Sequence, residues 1–368
     1  MNKLNTSGII GQFAIYGELT EIKAFGSGHI NDTFQSRWNQ AGSTVRYTHQ
    51  RINHNIFIHP DRVMDNILRV TRHIAEKNRT NGIPDWSRRS LTVVPARDGK
   101  PWARDTEGGW WRTYLFIENA YTKDTTSSPA EARFLGEGIG LFQKQLSDLP
   151  PPELHDTITD FHNMEKRYLR FYEALDKDAL NRAKEARSEI DFMRINKDRG
   201  ASLVCALHEK RIPYRICHND TKMNNILIDE KDSKALCVID LDTVMPGTSL
   251  FDLGDLIRTV SNSAAEDEQD LSKVDFDIAF FESLLEGYLS QANDFLIPQE
   301  IELALESGRN ITQIMALRFL TDYLEGDHYY RIRRPSHNLD RCRTQIALIK
   351  MMDLKWEIAQ KIVHKLTQ

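Results

Sequence analysis

Between Ile212 and Arg258 short apolar runs alternate with polar clusters, and this spacing leaves the chain few local structures to adopt. Pro213–Cys217 can form a short strand that runs into a polar loop, His218-Asn219-Asp220-Thr221-Lys222-Met223-Asn224-Asn225. Ile226-Leu227-Ile228 and Ala235–Ile239 then flank a polar turn through Glu230-Lys231-Asp232-Ser233. Two apolar runs about such a turn predict an antiparallel hairpin. The second run ends in Asp240-Leu241-Asp242. A tight hairpin sets the entry of one strand beside the exit of its partner. Asn225 and Asp240 are therefore expected to point into one place. An amide oxygen and a carboxylate are hard ligands that suit Mg2+, which keeps waters and takes its other ligands from phosphates. Asp220, on the same loop, can receive the proton of a hydroxyl, while Lys222 brings positive charge to a transferred group. Phosphoryl transfer needs these parts and little covalent chemistry.

Upstream, Glu18–Phe25 and Asp32–Trp38 read as strands flanking Gly26-Ser27-Gly28. A turn cluster, Asn39–Ser43, leads to a third strand, Val45–Ile52. Val63, Ile67, Val70 and Ile74 fall at helical spacing after the start signal Pro60-Asp61. Leu91–Pro95 and Trp110–Ile117 complete the strands. That order predicts a small antiparallel sheet with one helix, not a repeating βαβ pattern. From Pro129 the character changes. Phe134, Leu135, Ile139, Phe142 and Leu146 form a helical stripe that Pro150-Pro151-Pro152 breaks, and residues 160–210 are highly charged with helical apolar spacing. The expected architecture is α+β in two lobes. Residues 1–118 form the sheet lobe and residues 119–368 the mainly helical lobe, with a ligand cleft where they meet.

Composition narrows the function classes. The 368 residues carry 48 Lys and Arg against 53 Asp and Glu, a formal net charge of -5. A broad basic footprint for nucleic acid is therefore not expected. No apolar run approaches the roughly 20 residues that span a bilayer, so no membrane partner is expected. Met1–Gly11 lacks the pattern of a secretory signal, and Cys205, Cys217, Cys237 and Cys342 show no paired spacing. These features predict a cytoplasmic protein with reduced thiols. His49, His54 and His59 recur every five residues, a period that puts them on one face of neither helix nor strand, and no metal cluster is expected there.

His218-x-Asp220-x-Lys222-x-x-Asn225, a hairpin, and Ile239-Asp240 resemble the catalytic core of the kinase superfamily. The Ile239-Asp240-Leu241-Asp242 ending and Phe251-Asp252-Leu253-Gly254-Asp255 look like the aminoglycoside phosphotransferase branch, whose members phosphorylate hydroxyl groups of small molecules. Within that branch, the runs His218–Leu227, Ile239–Gly247 and Arg318–Asp327 are similar to the N-acetylhexosamine 1-kinases, and Gly28–Asn31, Trp111-Arg112 and Phe116–Glu118 agree. The likeness extends from about residue 20 to about residue 350.

The resemblance implies ATP and Mg2+ as cofactors and a small sugar as partner, with transfer to the anomeric hydroxyl of N-acetylglucosamine or N-acetylgalactosamine. It implies nucleotide binding by the lobe of residues 1–118, the catalytic loop, metal site and acceptor pocket on the lobe of residues 119–368, and ATP in the cleft. It makes Asp220 the base, sets Lys222 against the γ-phosphate, and gives Mg2+ to Asn225 and Asp240. Asp252 becomes a buried carboxylate that holds the catalytic loop through backbone hydrogen bonds. His29, Arg318 and Tyr329 line the sugar pocket, and the segment after Phe116, including Glu118, offers backbone groups to adenine. Asp242 is read as a sugar contact or a support directly behind one, with metal binding and capping of the next turn as alternatives.

Two departures stand out. A Gly-x-Gly-x-x-Gly loop beginning at Gly26 would place its third glycine at Asn31, so the segment is either a plain hairpin turn or a phosphate contact through Gly28, with His29 and Asn31 as alternatives that reach the sugar or the phosphates. The third strand, Tyr47-Thr48-His49-Gln50-Arg51, carries no lysine, so either Gln50 or Arg51 takes over the phosphate contact or Lys222 and Mg2+ suffice. Arg318, Asp322 and Glu325 form one polar stripe, either a salt-bridged solvent face or a fork for sugar hydroxyls. Kinases of other small hydroxyl acceptors and an inactive nucleotide binder are the competing readings. The sequence leaves the oligomeric state open, a monomer included.

Overall fold

The computed structural model describes residues 3–26 and 30–367, which form two compact units. The first contains the described residues up to Ala120 together with Leu149–Ile158 and Leu236–Met245; the second contains the rest.

The first unit is built on a six-stranded sheet. Its strands are β1 (Glu18–Ala24), β2 (Asp32–Gln40), β3 (Ser43–Ile52), β4 (Val93–Val94), β5 (Ala103–Arg104) and β6 (Trp110–Leu115). The order is β1-β2-β3-β6-β4, with β5 also on β6, and every pairing is antiparallel. The β2–β3 turn has Ala41 at φ 50° and Gly42 at φ 88°. Two positive φ values in a two-residue turn follow the right-handed twist of the strands.

Alternation assigns the two sheet faces. Trp38, Tyr47 and Trp111 pack with Ile9, Ile10 and Phe13, which the N-terminal helix α1 (Lys3–Ile10) and the residues after it deliver. The sequence reading left α1 unassigned, because its apolar pair is too short to show a period. His49 sits fully buried, between Ser36 Oγ at 2.7 Å and Thr113 Oγ1 at 2.8 Å. Burial pushes its pKa from 6.5 down to about 3, so the ring is neutral.

The helix α2 (Pro60–Thr80) buries Val63, Ile67, Val70 and Ile74, as their spacing predicts. It also buries Asn66, whose amide accounts for the two late segments of this unit. Its Nδ2 donates to the carbonyls of His155 (2.8 Å) and Val244 (2.9 Å), and its Oδ1 accepts from His155 N (2.9 Å). Arg69, one turn on, donates to the carbonyls of Pro150, Pro152 and Glu153. A boundary drawn at residue 118 misses these returns, because hydrogen bonds between distant backbone segments leave no mark in local sequence.

The second unit is mainly helical. Ser128 caps α3 (Pro129–Leu146), which buries Leu135, Ile139, Phe142 and Leu146; Asn163 caps α4 (Met164–Lys177). The 22-residue helix Ala304–Glu325 is buried along most of its length and forms the centre of this unit. A hairpin turn closes by Asp229 N to Lys234 O (2.9 Å) and Ser233 N to Asp229 O (3.0 Å), and the chain passes into the first unit at Leu236. Among the described residues no helix is long and apolar enough to cross a membrane. The four cysteines are free thiols.

A neutral buried histidine makes stability depend on pH in a definite direction. Below pH 6.5 the unfolded chain binds a proton at His49 that the folded chain refuses until about pH 3. Unfolding free energy should therefore fall as pH drops through this window, by up to about 1.4 kcal/mol per pH unit from this residue. Urea titrations of the wild type and His49→Gln between pH 7 and pH 4 check this. Parallel acid limbs for the two proteins would remove His49 from the acid response.

Candidate active site

The loop after strand Arg215–Cys217 is shaped by one carboxylate of the second unit. Thr248 caps the helix Ser249–Val260, and Asp252 lies in its first turn. Asp252 Oδ1 accepts from Asn219 N (2.7 Å); Oδ2 accepts from His218 N (2.9 Å) and Gln143 Nε2 (2.8 Å). Its backbone carbonyl takes the Thr221 hydroxyl at 2.6 Å. Tyr288 donates to Gln143 Oε1 (2.6 Å), which fixes the amide. Burial raises the Asp252 pKa, and these donors oppose the rise. On the other side His162 Nε2 donates to the carbonyl of Asn219 at 2.9 Å, its pKa pushed down to about 3 by burial. Asn219 takes the left-handed conformation at φ 66°, which turns the chain at Asp220.

Three candidate residues lie together on this loop. Asp220 Oδ2 is 3.1 Å from Lys222 Nζ. Asn225 Nδ2 donates to the Asp220 carbonyl (2.8 Å) and to Oδ2 (3.2 Å), while Asp220 N donates to His218 Nδ1 (3.3 Å). Burial pushes the Asp220 pKa up, but the charges of Lys222, His218 and Arg258 outweigh it and the net shift is downward. The carboxylate is thus ionised at neutral pH and able to accept a proton. With Nδ2 of Asn225 committed to the loop, Oδ1 is the atom left to meet a cation. Among the described residues no three His, Cys, Asp or Glu side chains gather as a metal-binding group. The amide oxygen of Asn225 is a hard donor of the kind that suits an ion keeping most of its ligands as water and phosphate.

A pocket in the same unit is lined by α4, the helix Ala304–Glu325 and the turn after it. Arg318 lies over three rings, 4.9 Å from the centroid of Phe161, 5.6 Å from Tyr329 and 5.5 Å from Tyr330. Of the stripe Arg318, Asp322 and Glu325, only Glu325 joins an exposed salt bridge. Asp322 accepts the backbone N–H groups of His328, Tyr329 and Tyr330 at 2.8–3.0 Å, with Asn338 Nδ2 at 2.8 Å. It folds the turn that presents both tyrosines. Glu325 pairs with Arg170 at 2.6 Å. A second lining guanidinium, Arg167, has no counterpart in the sequence reading. It lies on a helix crowded with charge, where no spacing singles it out.

The first unit holds the remaining candidates. Asp240 is left-handed, at φ 60° and ψ 53°. Two residues on, Asp242 is buried; Oδ1 pairs with Arg112 Nη1 and Oδ2 accepts from Asn31 Nδ2 at 2.6 Å. Arg112 is itself fully buried and donates to Gln50 Oε1 through Nε (2.9 Å) and Nη2 (2.7 Å). Burial works against the Arg112 charge, but Asp242 and, more weakly, Asp240 outweigh it and hold the guanidinium protonated. Asp242 thus anchors its own segment within this unit, the alternative closest to turn capping.

Gln50 faces Arg112, while Arg51, on the opposite sheet face, pairs with Asp105 (3.4 Å) and Glu107 (3.3 Å). The expectation that Arg51 replaces the missing lysine is thus corrected: strand alternation turns it away from the Asp242 side. Phe116 lies under Arg46, whose Nε donates to Glu118 at 2.9 Å. Phe116 N donates to Arg46 O (3.0 Å), and the carbonyl of Glu118 already accepts from Arg88 Nη2 at 2.8 Å. Gly28 and His29 lie outside the described residues.

Removing one partner of a buried ion pair strands the other in a dry environment. Arg112→Met should cost about 3–5 kcal/mol of stability, and adding Asp242→Asn should restore part of it. Denaturant unfolding of the single and double variants checks this. A loss below about 1 kcal/mol would mean that the pair behaves as a solvated one.

The model of the phosphotransferase enzyme family matches residues 21–290, well over half of the chain. An aminoglycoside phosphotransferase from Alicyclobacillus acidocaldarius superposes with a TM-score of 0.54 at 14% identity, covering 98% of this chain and 95% of that one. The ethanolamine kinase of Plasmodium vivax gives 0.55 at 14%, covering 89% and 82%. A spectinomycin phosphotransferase solved with ADP and spectinomycin gives 0.56 at 12%, covering 93% and 94%. At such identities the likeness is one of fold, and it is the kinase-like α+β fold expected from the sequence. With the matched span running through the catalytic loop and both of its supporting helices, the chain belongs to the phosphotransferase enzyme family.

Proposed function

We propose that this protein is an ATP-dependent kinase that phosphorylates the anomeric hydroxyl of an N-acetylhexosamine, N-acetylglucosamine or N-acetylgalactosamine, to give the sugar 1-phosphate. The observation that carries the reading is the Asp220 carboxylate held between Lys222 Nζ (3.1 Å) and Asn225 Nδ2 (3.2 Å). In this reading Asp220 orients the acceptor hydroxyl and takes its proton as the oxygen bonds to the γ-phosphorus and ADP leaves. Lys222 faces the oxygens of the transferred group. Mg2+, when bound, neutralises charge on the β- and γ-oxygens. Asn225 supplies an amide oxygen to it, and Asp240 is the carboxylate that the sequence assigns to the same role. The segment after Phe116 takes adenine, and a relative solved with ADP supports nucleotide use.

The acceptor is proposed from the pocket. Arg318 and Tyr329, with His29 from the sequence resemblance, suit hydroxyls and an acetamide oxygen. Choline, ethanolamine and aminoglycosides are cations, and a guanidinium repels them. Tyr329 and Tyr330, which line the pocket beside Arg318, also offer aromatic surface to a sugar.

The experiment is ADP release over a panel of N-acetylhexosamines, neutral hexoses, choline, ethanolamine and aminoglycosides. The expected outcome is turnover dependent on an N-acetylhexosamine. Nucleotide binding without release for any acceptor would favour a binding protein instead. Asp220→Asn should keep a near-native Tm and lose nearly all turnover; turnover at the native rate would remove Asp220 from the base role. Chelation should abolish activity. Asn225→Ala should raise the Mg2+ needed for half-maximal rate at least about tenfold, a loss of some 1.4 kcal/mol in cation binding. An unchanged Mg2+ requirement would take Asn225 out of the cation site.

A further inference from the structure

The acceptor pocket holds two guanidiniums that a single residue brings together. Phe161 accepts from Arg167 through its backbone carbonyl, at 3.2 Å from Nε and 2.7 Å from Nη2. Its ring lies beneath Arg318, 4.9 Å from the guanidinium carbon. Among the described residues neither arginine forms an ion pair with a carboxylate. The acidic side chains of the lining are engaged elsewhere: Glu325 pairs with Arg170, and Asp322 is surrounded by the N–H groups of its own turn. Burial, and then the neighbouring charge of Arg318, push the Arg167 pKa down to about 10. It therefore stays protonated at neutral pH. The lining carries three guanidiniums against two carboxylates, an excess of positive charge where the acceptor is proposed to sit.

Selectivity is a difference of affinities, and a like charge placed in the pocket sets it by repulsion. We infer that Arg167 is a specificity-determining residue: its charge, added to that of Arg318, rejects acceptors that carry a protonated amine and admits amino sugars whose nitrogen is acylated. The inference rests on the proposed acceptor class and adds to it a residue and a reason. N-acetylglucosamine and glucosamine are the decisive pair. They share a ring and an anomeric hydroxyl and differ at one nitrogen, neutral in the first and cationic near neutral pH in the second. Arg318 alone would discriminate between them less, since one guanidinium stacked on three rings has its field partly met by the ring faces.

The test is the ratio of kcat/KM for N-acetylglucosamine to that for glucosamine, in the wild type, Arg167→Gln, Arg167→Lys and Arg170→Gln. The wild type should favour the acetylated sugar strongly. Arg167→Gln should lower the ratio roughly tenfold, the scale of one unit charge a few ångströms away in a partly solvated site. The change should come through a lower KM for glucosamine. Arg167→Lys keeps the charge and should keep the ratio. Arg170→Gln removes a positive charge from an exposed position without touching Phe161, and should move the ratio the same way by a smaller factor. It serves where Arg167→Gln fails to fold. A wild type that phosphorylates N-acetylglucosamine while the ratio stays unchanged across the charge-removing variants overturns the inference alone. Where only N-acetylgalactosamine turns over, the same ratio is read against galactosamine; a wild type that phosphorylates neither N-acetylhexosamine overturns the acceptor reading and the inference with it.

Discussion

A single buried carboxylate, Asp252, organises the second unit. Its two oxygens take the backbone N–H groups of His218 and Asn219 and the amide of Gln143, so the first residues of the catalytic loop hang from one side chain. Consecutive N–H groups cannot both meet one carboxylate in a strand, where they point to opposite sides. The strand therefore ends where Asp252 captures it, and Asn219 enters the left-handed region. Asp220 follows at once, with its backbone orientation already set. Every later feature of the loop, from the Lys222 pair to the Asn225 bridge, depends on that capture.

The first unit solves a similar problem with charge. The turn after Asp240 has no ladder of its own, and Arg112 and Asn31 hold it through Asp242 while Asn66 holds Val244. A buried pair of this kind is weak as a source of stability but strong as a constraint, since each charge tolerates only the other's position. Gln50 completes the arrangement by occupying the rest of the guanidinium. The third strand thus contributes the amide of Gln50 to a buried guanidinium of the same sheet.

What the sequence made legible was what it encodes locally. The hairpin, the polar loop and the sheet strands show themselves through two-residue alternation and turn chemistry, and Asp220, Lys222 and Asn225 are neighbours along the chain before they are neighbours in space. Arg112 stands out in the sequence only through a family likeness, because an arginine in a strand of Trp, Thr and Tyr shows no sign of its partner 130 residues away. Arg167 was hidden among the charges of α4. Arg51 was a plausible substitute until strand pairing fixed which face it occupies. Asn66 sits on the buried face of an amphipathic helix, where a polar residue signals a distant partner without identifying it. These misses share one cause: each role is set by a partner far along the chain, and spacing carries no record of it.

The two late returns to the first unit have a consequence for how the chain comes into being. Synthesis runs from the N-terminus, and Val244, whose carbonyl Asn66 holds, emerges from the ribosome only after most of the second unit's loop has been made. Until then Asn66 of α2 lacks the Val244 carbonyl, and Arg112 has Gln50 but not the Asp242 carboxylate. The sheet is thus translated before the second unit, but it waits for residue 245 before its set of buried polar partners is complete.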